Sequence, residues 1–324
     1  FEVLPEVTLS GLDKIEVTKP DVEIADSDFD EMIDNLRRQK AGWNEVDRKS
    51  AEGDRVIVDF AGTLKGEAFE GGTGKEVPVV LGQGQMLPDF EKGLTGVKAG
   101  DETSIKVKFP KDYQAEELAG KKADFAITVH KVEEQELPPL DDSLAELYGV
   151  EEGGLDKLKA DVRDNMDREA AQRIRTDIRE QALTGLLDKN PLEVPKALIH
   201  QEAHSMQHEV MRQYGIEDHS QAPPLENFVE SAEKRVRLGL LIRQLIDDNG
   251  IEVDAGKLKA RVDELCAGYE NAEEMAQTYL SNPQIMQQIE PMVLEDQAVD
   301  WIVQNGKEKS KKIGFGEYMK PQGR

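Results

Sequence analysis

Residues 80–94 of the chain read Val80-Leu81-Gly82-Gln83-Gly84-Gln85-Met86-Leu87-Pro88-Asp89-Phe90-Glu91-Lys92-Gly93-Leu94. An apolar run comes first, two glycines interrupt it, and a proline then opens a short polar stretch that closes on a third glycine. Proline at the start and glycine at the end are typical of a short helix. We therefore predict a strand, a glycine-rich turn and one short helix in this segment.

Strand-like runs of β-branched and alternating apolar residues surround this segment, at 55–60, 77–81, 103–109 and 123–132. Glycine-rich pieces lie between them, and 71–74 is predicted to be a turn. The only short helix in the block is the one that begins at Pro88. The pattern therefore predicts a small α+β domain with an antiparallel sheet wrapped on a short helix.

The rest of the chain is predicted to be helical apart from its first residues. Residues 1–24 are predicted to be extended, since Val3, Val7 and Leu9 alternate with polar neighbours, and a helix begins at Asp26 or Ser27. Apolar residues at helical spacing then predict helices over 155–187, 194–214, 229–249, 254–269, 272–280 and 284–304. The lysine-rich tail 307–312 is predicted to be a frayed end. The fold class is thus multi-domain α+β and all-α, the helical part forming an elongated domain with arms.

Charge and composition exclude several classes of function. The 324 residues carry 41 Lys plus Arg and 66 Asp plus Glu, which gives a formal net charge of −25. Such acidity disfavours general nucleic-acid binding and docking on an anionic membrane. Cys266 is the single cysteine, so an intrachain disulfide framework is impossible and a reducing compartment is expected. No run of about 20 apolar residues predicts a transmembrane helix.

Three stretches together resemble the FKBP-type peptidyl-prolyl isomerase family: 58–64 with 68–71, the 80–94 segment, and 109–113 with 124–127. The resemblance implies a prolyl-isomerase activity (EC 5.2.1.8) in an apolar aromatic pocket, with no cofactor and no metal. It assigns to Leu87 the backbone N–H that meets the substrate carbonyl, and to Phe90 the pocket floor. The residues at the family's pocket positions are Phe60, Phe69, Glu70, Met86, Leu87, Phe90, Tyr113 and Phe125.

Two departures from the small family members lie near that pocket. Val77 stands where some relatives have an aromatic residue, which opens one wall. The segment 114–120 is short, so the resemblance does not extend to the flap that covers the substrate or to Leu118 as its apolar contact.

The whole chain resembles the bacterial trigger factor family, which places an FKBP-like block between an extended segment with one helix and a long helical region. This resemblance implies three domains. Residues 1–45 form a linker and helix that pack with the C-terminal helical domain, 46–134 form the isomerase, and 135–324 form a helical cradle. The implied partners are unfolded or nascent polypeptides, bound without ATP by a cytoplasmic monomer.

One feature of the trigger factor family is missing from the sequence. No stretch matches the Gly-Phe-Arg-x-Gly-Lys signature of the ribosome-docking domain, and the chain opens at Phe1 without an initiator Met. We therefore expect a fragment that begins on the linker after that domain and that reaches the ribosome only through the missing domain. Neither nucleic acid nor a membrane is an expected partner.

Other interpretations of the sequence remain open. The isomerase block could be a catalytically weak scaffold in a binding-only holdase, and a surface adhesin or regulatory module would need a signal sequence. His200, His204 and His208 recur at four-residue spacing, which would allow pairs to bind a metal, but Gln201 stands where zinc proteases need Glu. Scattered methionines in the helices are expected to fill the core or to offer adaptable client contacts. Cys266 is expected to be a buried small residue.

Overall fold

The computed structural model describes residues 6–115, 117–216, 218, 221–269 and 271–320. The chain forms two compact units, Ala25–Met166 and the combination of Phe1–Ile24 with Asp167–Arg324. The boundaries of these units differ from those of the three predicted domains, 1–45, 46–134 and 135–324. The bounds of the three domains therefore stay a prediction. The extended conformation predicted for Val3 lies outside the described residues.

The unit Ala25–Met166 contains the predicted sheet and short helix. Its elements in chain order are α1 (Asp26–Gln39), β2 (Gly42–Glu45), β3 (Arg55–Leu64), β4 (Glu67–Val80), α2 (Pro88–Gly93), β5 (Glu102–Lys108), β6 (Lys122–Glu136), α3 (Asp142–Leu147) and the start of α4 (Gly154–Lys189). All strand pairs are antiparallel, in the order β2-β6-β3-β4, with β5 also paired to β6. The antiparallel sheet and the helix at Pro88 are therefore confirmed.

The core of this unit lies between α2 and one face of the sheet. Alternate residues of β3 and β6, such as Val56, Val58, Ile127 and Val129, are almost completely buried, because successive side chains of a strand point to opposite faces. Leu94, directly after α2, is also fully buried in this core. Burial of aliphatic side chains against α2 thus fixes the helix on the sheet.

The glycine-rich segment 71–74 is not a turn, and that prediction was wrong. It lies inside β4, where Thr73 pairs with Ala61 and Gly74 pairs with Phe60. The β3–β4 register is irregular on both sides of this stretch, between Val58 and Phe60 and between Ala61 and Thr63. The glycines here provide room for aromatic rings that only the folded sheet brings against the strand.

Gly93 at the end of α2 is a packing-determined position, and its substitution is expected to loosen the sheet. A Cβ at this residue would lie 2.4 Å from Ile105 Cδ1 and 2.6 Å from Ile105 Cγ1. We expect Gly93→Ala to lower the free energy of unfolding of this unit by about 1–3 kcal/mol through overpacking. Urea unfolding followed by Trp43 fluorescence, in a Trp301→Phe background, measures this free energy. Gly96→Ala is no suitable control because Gly96 has φ +87°. Gly239→Ala, at an open helical position of the other unit, should leave the transition unchanged.

Helix α1 packs on the segment that follows the sheet. The Tyr148 hydroxyl donates a 2.7 Å hydrogen bond to Leu36 O, and Arg37 Nε donates one of 3.0 Å to Pro138 O. The helix begins at Asp26, and the side chain of Asp28 accepts the Ala25 N–H at 3.0 Å. Gln135, near the end of β6, also donates to Arg38 O at 3.4 Å, so α1 contacts the end of the sheet and the segment that follows it.

The second unit is built mainly from helices. Its elements are β1 (Glu16–Glu23), the C-terminal part of α4, α5 (Lys196–Gln213), α6 (Glu226–Asn249), α7 (Ala255–Cys266), α8 (Ala272–Ser281), α9 (Pro283–Asn305), β7 (Lys307–Gly314) and α10 (Phe315–Tyr318). One core joins β1, α4, α6 and α9 through fully buried residues that include Val17, Leu186, Leu245 and Ile302, together with Ile15 directly before β1. A separate core joins α7, α8 and α9 around Val262 and Cys266, which confirms the buried cysteine.

The lysine-rich tail is not frayed, and that prediction was wrong. It forms β7, which pairs in parallel with β1 from Glu16 opposite Lys307 to Glu23 opposite Gly314. Lys309 Nζ also lies 2.6 Å from a carboxylate oxygen of Glu16. This pairing joins residues almost 300 positions apart in the chain, so no local pattern in the tail indicates it.

Candidate functional site

The loop between β4 and α2 takes its shape from residues that the sequence supplies locally. Gly82 and Gly84 have φ values of +88° and +67°, which L side chains rarely adopt. Leu87 is the N-cap of α2, and its carbonyl accepts the N–H groups of Phe90 and Glu91. Pro88 occupies the first helical position, where its missing N–H costs no hydrogen bond. The loop therefore places Met86 and Leu87 at the N-terminal end of α2, close to Phe90 in its first turn.

Four phenylalanine rings from β3, β4, α2 and β6 meet at this end of the unit. The ring centre of Phe125 lies 5.5 Å from that of Phe90 and 6.0 Å from those of both Phe60 and Phe69. Phe60 and Phe90 are 5.6 Å apart. All four pairs are edge-to-face, the arrangement that aromatic quadrupoles favour. The structure thus brings together four predicted pocket residues that are up to 65 positions apart in the sequence.

Two rings of the cluster are buried and the other two are partly exposed to solvent. Phe90 and Phe125 are 5% and 6% exposed, whereas Phe60 and Phe69 are half-buried. Met86 and Leu87 are also half-buried and pack against the same core. An apolar surface made by phenylalanine and aliphatic side chains is therefore reachable from solvent.

Three glycines leave room for these rings. A Cβ at Gly62 would lie 2.5 Å from the ring of Phe125, and a Cβ at Gly74 would lie 2.6 Å from that of Phe60. A Cβ at Gly72 would lie 3.0 Å from the ring of Phe69. Each ring therefore lies directly against strand backbone, which explains the glycine content of β3 and β4 at these positions.

Tyr113 joins the cluster through a residue that the sequence pattern did not mark as part of the site. Its ring centre lies 4.8 Å from that of Phe109, which is buried and lies 6.2 Å from Phe69. A surface cavity of about 550 Å³ borders Tyr113 and its neighbours Pro110, Asp112, Gln114 and Ala115. The position of Phe109 directly before Pro110, at the end of a strand-like run, is the sequence signal that could have identified it.

Glu70 and Leu118 lie near the aromatic cluster but are not part of it. Glu70 follows Phe69 on β4 with an exposed side chain, and its carboxylate has no hydrogen bond or ion pair to another described residue. Leu118 is 9% exposed and belongs to the core, so it does not stand free as a flap residue. Glu116, in the same short segment, lies outside the described residues.

The backbone N–H groups of the 82–87 loop are used unequally. The carboxylate of Glu91 accepts hydrogen bonds from the N–H of Gly82 at 3.0 Å, Gly84 at 3.4 Å and Met86 at 3.0 Å. The Leu87 N–H has no acceptor among the described residues. The same holds for the N–H groups of Gln83 and Gln85, but Leu87 is the one of the three that packs against the apolar core and so offers its donor beside the phenylalanine cluster.

A larger cavity lies on the other face of the sheet and has a different character. Its volume is about 900 Å³, and its lining includes Asp59, Ala61, Ser104 and Ala126. Asp59 accepts the Glu76 N–H at 2.7 Å and lies 2.9 Å from His130 Nε2, and these two contacts lower the pKa of the Asp59 carboxyl. The alternation of β3 points Asp59 and Ala61 away from the side of Phe60. Phe60 also borders this cavity, so the cavity and the aromatic cluster share one residue, while Phe69, Phe90 and Phe125 do not line it.

The described residues show neither a metal-binding cluster nor a membrane-spanning helix. Within the described parts of the chain, no group of three or more His, Cys, Asp or Glu side chains has a metal-binding arrangement. His200, His204 and His208 are exposed along α5. None of the described helices is both long and apolar enough to cross a membrane.

Three family models match separate parts of the chain. Residues 46–132 match the family described as FKBP-type peptidyl-prolyl cis-trans isomerase. Residues 154–304 match the bacterial trigger factor C-terminus, and residues 1–36 match the N-terminal family described as bacterial trigger factor protein. The chain therefore has a counterpart of the family's N-terminal part from residue 1 onward.

Curated relatives extend this match over nearly the whole chain. The trigger factor of Thioalkalivibrio sulfidiphilus is 45% identical over 99% of this chain and 74% of its own length. That of Alkalilimnicola ehrlichii is 45% identical over 99% of this chain and 72% of its own length. A solved structure of the trigger factor chaperone covers 93% of this chain and 73% of its own chain, at 20% identity and a TM-score of 0.46. On the evidence of the sequence relatives, the chain belongs to the trigger factor family of chaperones and carries an FKBP-type peptidyl-prolyl isomerase domain.

Proposed function

We propose that the isomerase works through the aromatic cluster, with the Leu87 N–H holding the substrate carbonyl. The single observation that carries this proposal is the meeting of half-buried phenylalanines with an unused backbone donor at one end of α2. The cluster supplies an apolar surface, and the donor supplies one polar contact that fixes the orientation of an X–Pro peptide. Such a combination of apolar lining and few polar groups is typical of ligand sites.

The chemistry of prolyl isomerisation fits such a surface. Resonance across the amide gives a rotation barrier of about 18–20 kcal/mol and separates charge between oxygen and nitrogen. The twisted transition state loses this resonance and is less polar, so an apolar pocket disfavours the planar ground state more than the twisted form. Rotation breaks no covalent bond, and the reaction therefore needs neither a nucleophile nor a proton transfer from the enzyme.

Nuclear magnetic resonance of the backbone amides tests the role of Leu87. A short peptide with Phe after an X–Pro bond is added to the full ¹⁵N-labelled chain. We expect the Leu87 amide to move downfield because it gains a hydrogen-bond acceptor. The Val132 amide, in the same core but outside the ring cluster, serves as the control and should not move. A Leu87 amide that stays unchanged under saturating peptide contradicts the proposed donor.

For the chaperone activity, we propose that unfolded or nascent polypeptides contact exposed apolar side chains of α7, α8 and α9. Leu265, Tyr269, Leu280 and Met292 are 41%, 51%, 38% and 42% exposed, although they lie on or next to helices that share one small core. A side-chain hydrogen bond with the nearby Tyr269 raises the pKa of Tyr279 on α8. Flexible methionine and aromatic side chains suit clients of varied sequence.

Polar substitution at this surface is expected to weaken client binding without unfolding the protein. Leu265→Ser combined with Met292→Ser should reduce suppression of aggregation of an unfolded client by roughly threefold, because apolar contact area is lost. The matched control is Gln277→Ser combined with Gln288→Ser, two exposed polar positions on α8 and α9. Light scattering of a reduced client protein, after its dilution from denaturant, measures the suppression of aggregation. Equal suppression by both double variants would argue that clients bind elsewhere.

We further propose that the protein works as a cytoplasmic monomer, without ATP. The single buried thiol of Cys266 fits a reducing compartment. Since no stretch of this chain carries the family's ribosome-docking signature, we expect the chain as given to bind ribosomes weakly. Cosedimentation with ribosomes at physiological salt tests that expectation.

A further inference from the structure

Among the described residues of the unit Ala25–Met166, the carboxylate of Glu91 is the acidic group that is buried beside the proposed pocket. Its side chain belongs to α2 and directly follows Phe90, and the residue is 7% exposed. No cationic side chain pairs with it among the described residues. Instead, three backbone N–H groups donate hydrogen bonds to the carboxylate, those of Gly82, Gly84 and Met86. Hydrogen bonds from N–H groups to a carboxylate are stronger than those between neutral groups.

The loop that Glu91 holds has few other restraints. Residues 82–85 are exposed, and a Cβ at Gly84 would meet no atom within 4 Å. Glycine also carries the largest conformational entropy in the unfolded or loosened state. The three hydrogen bonds to Glu91 are therefore the main contacts that keep this part of the backbone in place.

The same loop carries the groups that the proposed mechanism needs. Met86 gives its N–H to Glu91 and its side chain to the apolar lining, whereas the next residue, Leu87, keeps its N–H free for a substrate carbonyl. We propose that Glu91 is a positioning residue for prolyl isomerisation: it holds the 82–86 backbone so that the Leu87 N–H and the Met86 side chain stay against the phenylalanine cluster. This inference rests on the pocket proposed above.

A comparison of Glu91→Gln with Asp89→Asn tests the role. Glutamine keeps the shape but replaces one acceptor oxygen by an N–H₂ donor, so it cannot accept all three hydrogen bonds. Asp89 is the matched control, because it lies on the same helix but accepts the Lys108 N–H at 3.1 Å, away from the loop. The measurement is the steady-state turnover of an X–Pro–Phe tetrapeptide by the 324-residue chain, at a temperature where circular dichroism shows both variants folded.

The expected result is a change in KM. For Glu91→Gln we expect kcat/KM to fall by about tenfold, mainly through a higher KM, because a loosened donor weakens the hold on the substrate carbonyl. A purely structural role would lower the active fraction and hence kcat, and would leave KM unchanged. Asp89→Asn should keep kcat/KM within about twofold. A Glu91→Gln variant with unchanged KM, or with the same loss as Asp89→Asn, overturns the inference.

Two further measurements keep the test decisive. Hydrogen exchange in the wild-type chain should show slow exchange at the Met86 amide and faster exchange at the Leu87 amide, which slows when the peptide is added. Equal exchange at both amides overturns the inference even if Glu91→Gln does not fold. Phe125→Leu, assayed in parallel, separates the proposed pocket from the proposed role of Glu91. If Phe125→Leu is active, the pocket is refuted. If Phe125→Leu is inactive while Glu91→Gln has unchanged kinetics, only the role of Glu91 is refuted.

Discussion

Phe125→Ala is expected to lower kcat/KM for an X–Pro–Phe tetrapeptide on the order of 100-fold, which corresponds to about 2.7 kcal/mol of transition-state stabilisation. Phe125 is in edge-to-face contact with Phe60, Phe69 and Phe90, so its removal deprives the other three rings of their shared neighbour. The planar, polar ground state of the substrate would then meet a water-filled gap in place of an apolar wall. The coupled peptide assay on the full chain measures the loss.

The same substitution also costs stability, and this cost must be separated from catalysis. Removal of a buried phenylalanine side chain lowers the free energy of unfolding by about 3–5 kcal/mol. Phe125→Leu retains most of the apolar volume and should fold better while it still lacks the ring. Val132→Ala is the matched control, because Val132 is fully buried on the same strand but outside the ring contacts. If Val132→Ala and Phe125→Leu lose activity equally per folded molecule, the aromatic cluster is not the catalytic surface.

Leu186→Ala is expected to destabilise the unit formed by Phe1–Ile24 and Asp167–Arg324 and to spare the isomerase. Leu186 has no exposed surface and packs in the core that contains Ile15, Leu245 and Ile302. Truncation of a fully buried leucine costs about 2–5 kcal/mol, made up of lost transfer free energy and a residual cavity. Residues Ala25–Met166 have their own core, so prolyl-isomerase turnover should remain at the wild-type level.

The two tryptophans allow each unit to be followed separately. Trp43 lies in the isomerase unit and Trp301 lies in the helical unit, where it packs against the core of Leu186. In a Trp43→Phe background, Leu186→Ala should shift the urea midpoint of the Trp301 signal to lower concentration. In a Trp301→Phe background, the Trp43 transition should not move. A shift of both signals together would contradict independent cores. Asp188→Ala, a substitution at an exposed position two residues after Leu186 on α4, controls for the effect of an alanine in this helix.

Much of the isomerase unit could be predicted because its signals are local. Alternation in 55–60 and 123–132 predicts strands with one buried face, and Pro88 with Gly93 predicts the short helix. The helices of the second unit follow from apolar residues at helical spacing in the same way. Such patterns need only neighbouring residues, since they report which face of each element avoids water.

Features that depend on distant partners could not be predicted in this way. The lysines of β7 resemble a solvated end until β1 supplies the backbone hydrogen bonds that make them a strand. Gly72 and Gly74 resemble a turn until the rings of Phe69 and Phe60 take the space of their missing side chains. Likewise, Phe109 becomes part of the site only because β5 places its ring between Phe69 and Tyr113.

The amino-acid sequence by itself determined the helices, most strands and the acidic character, because these follow from local periodicity and composition, and its resemblance to the FKBP family predicted the pocket residues. Only the tertiary structure decided which rings touch, which glycines face them, and how Glu91 binds the loop before its own helix while Leu87 keeps a free donor. These arrangements depend on close packing between segments far apart in the chain, and close packing is a property of the folded interior that no single segment carries.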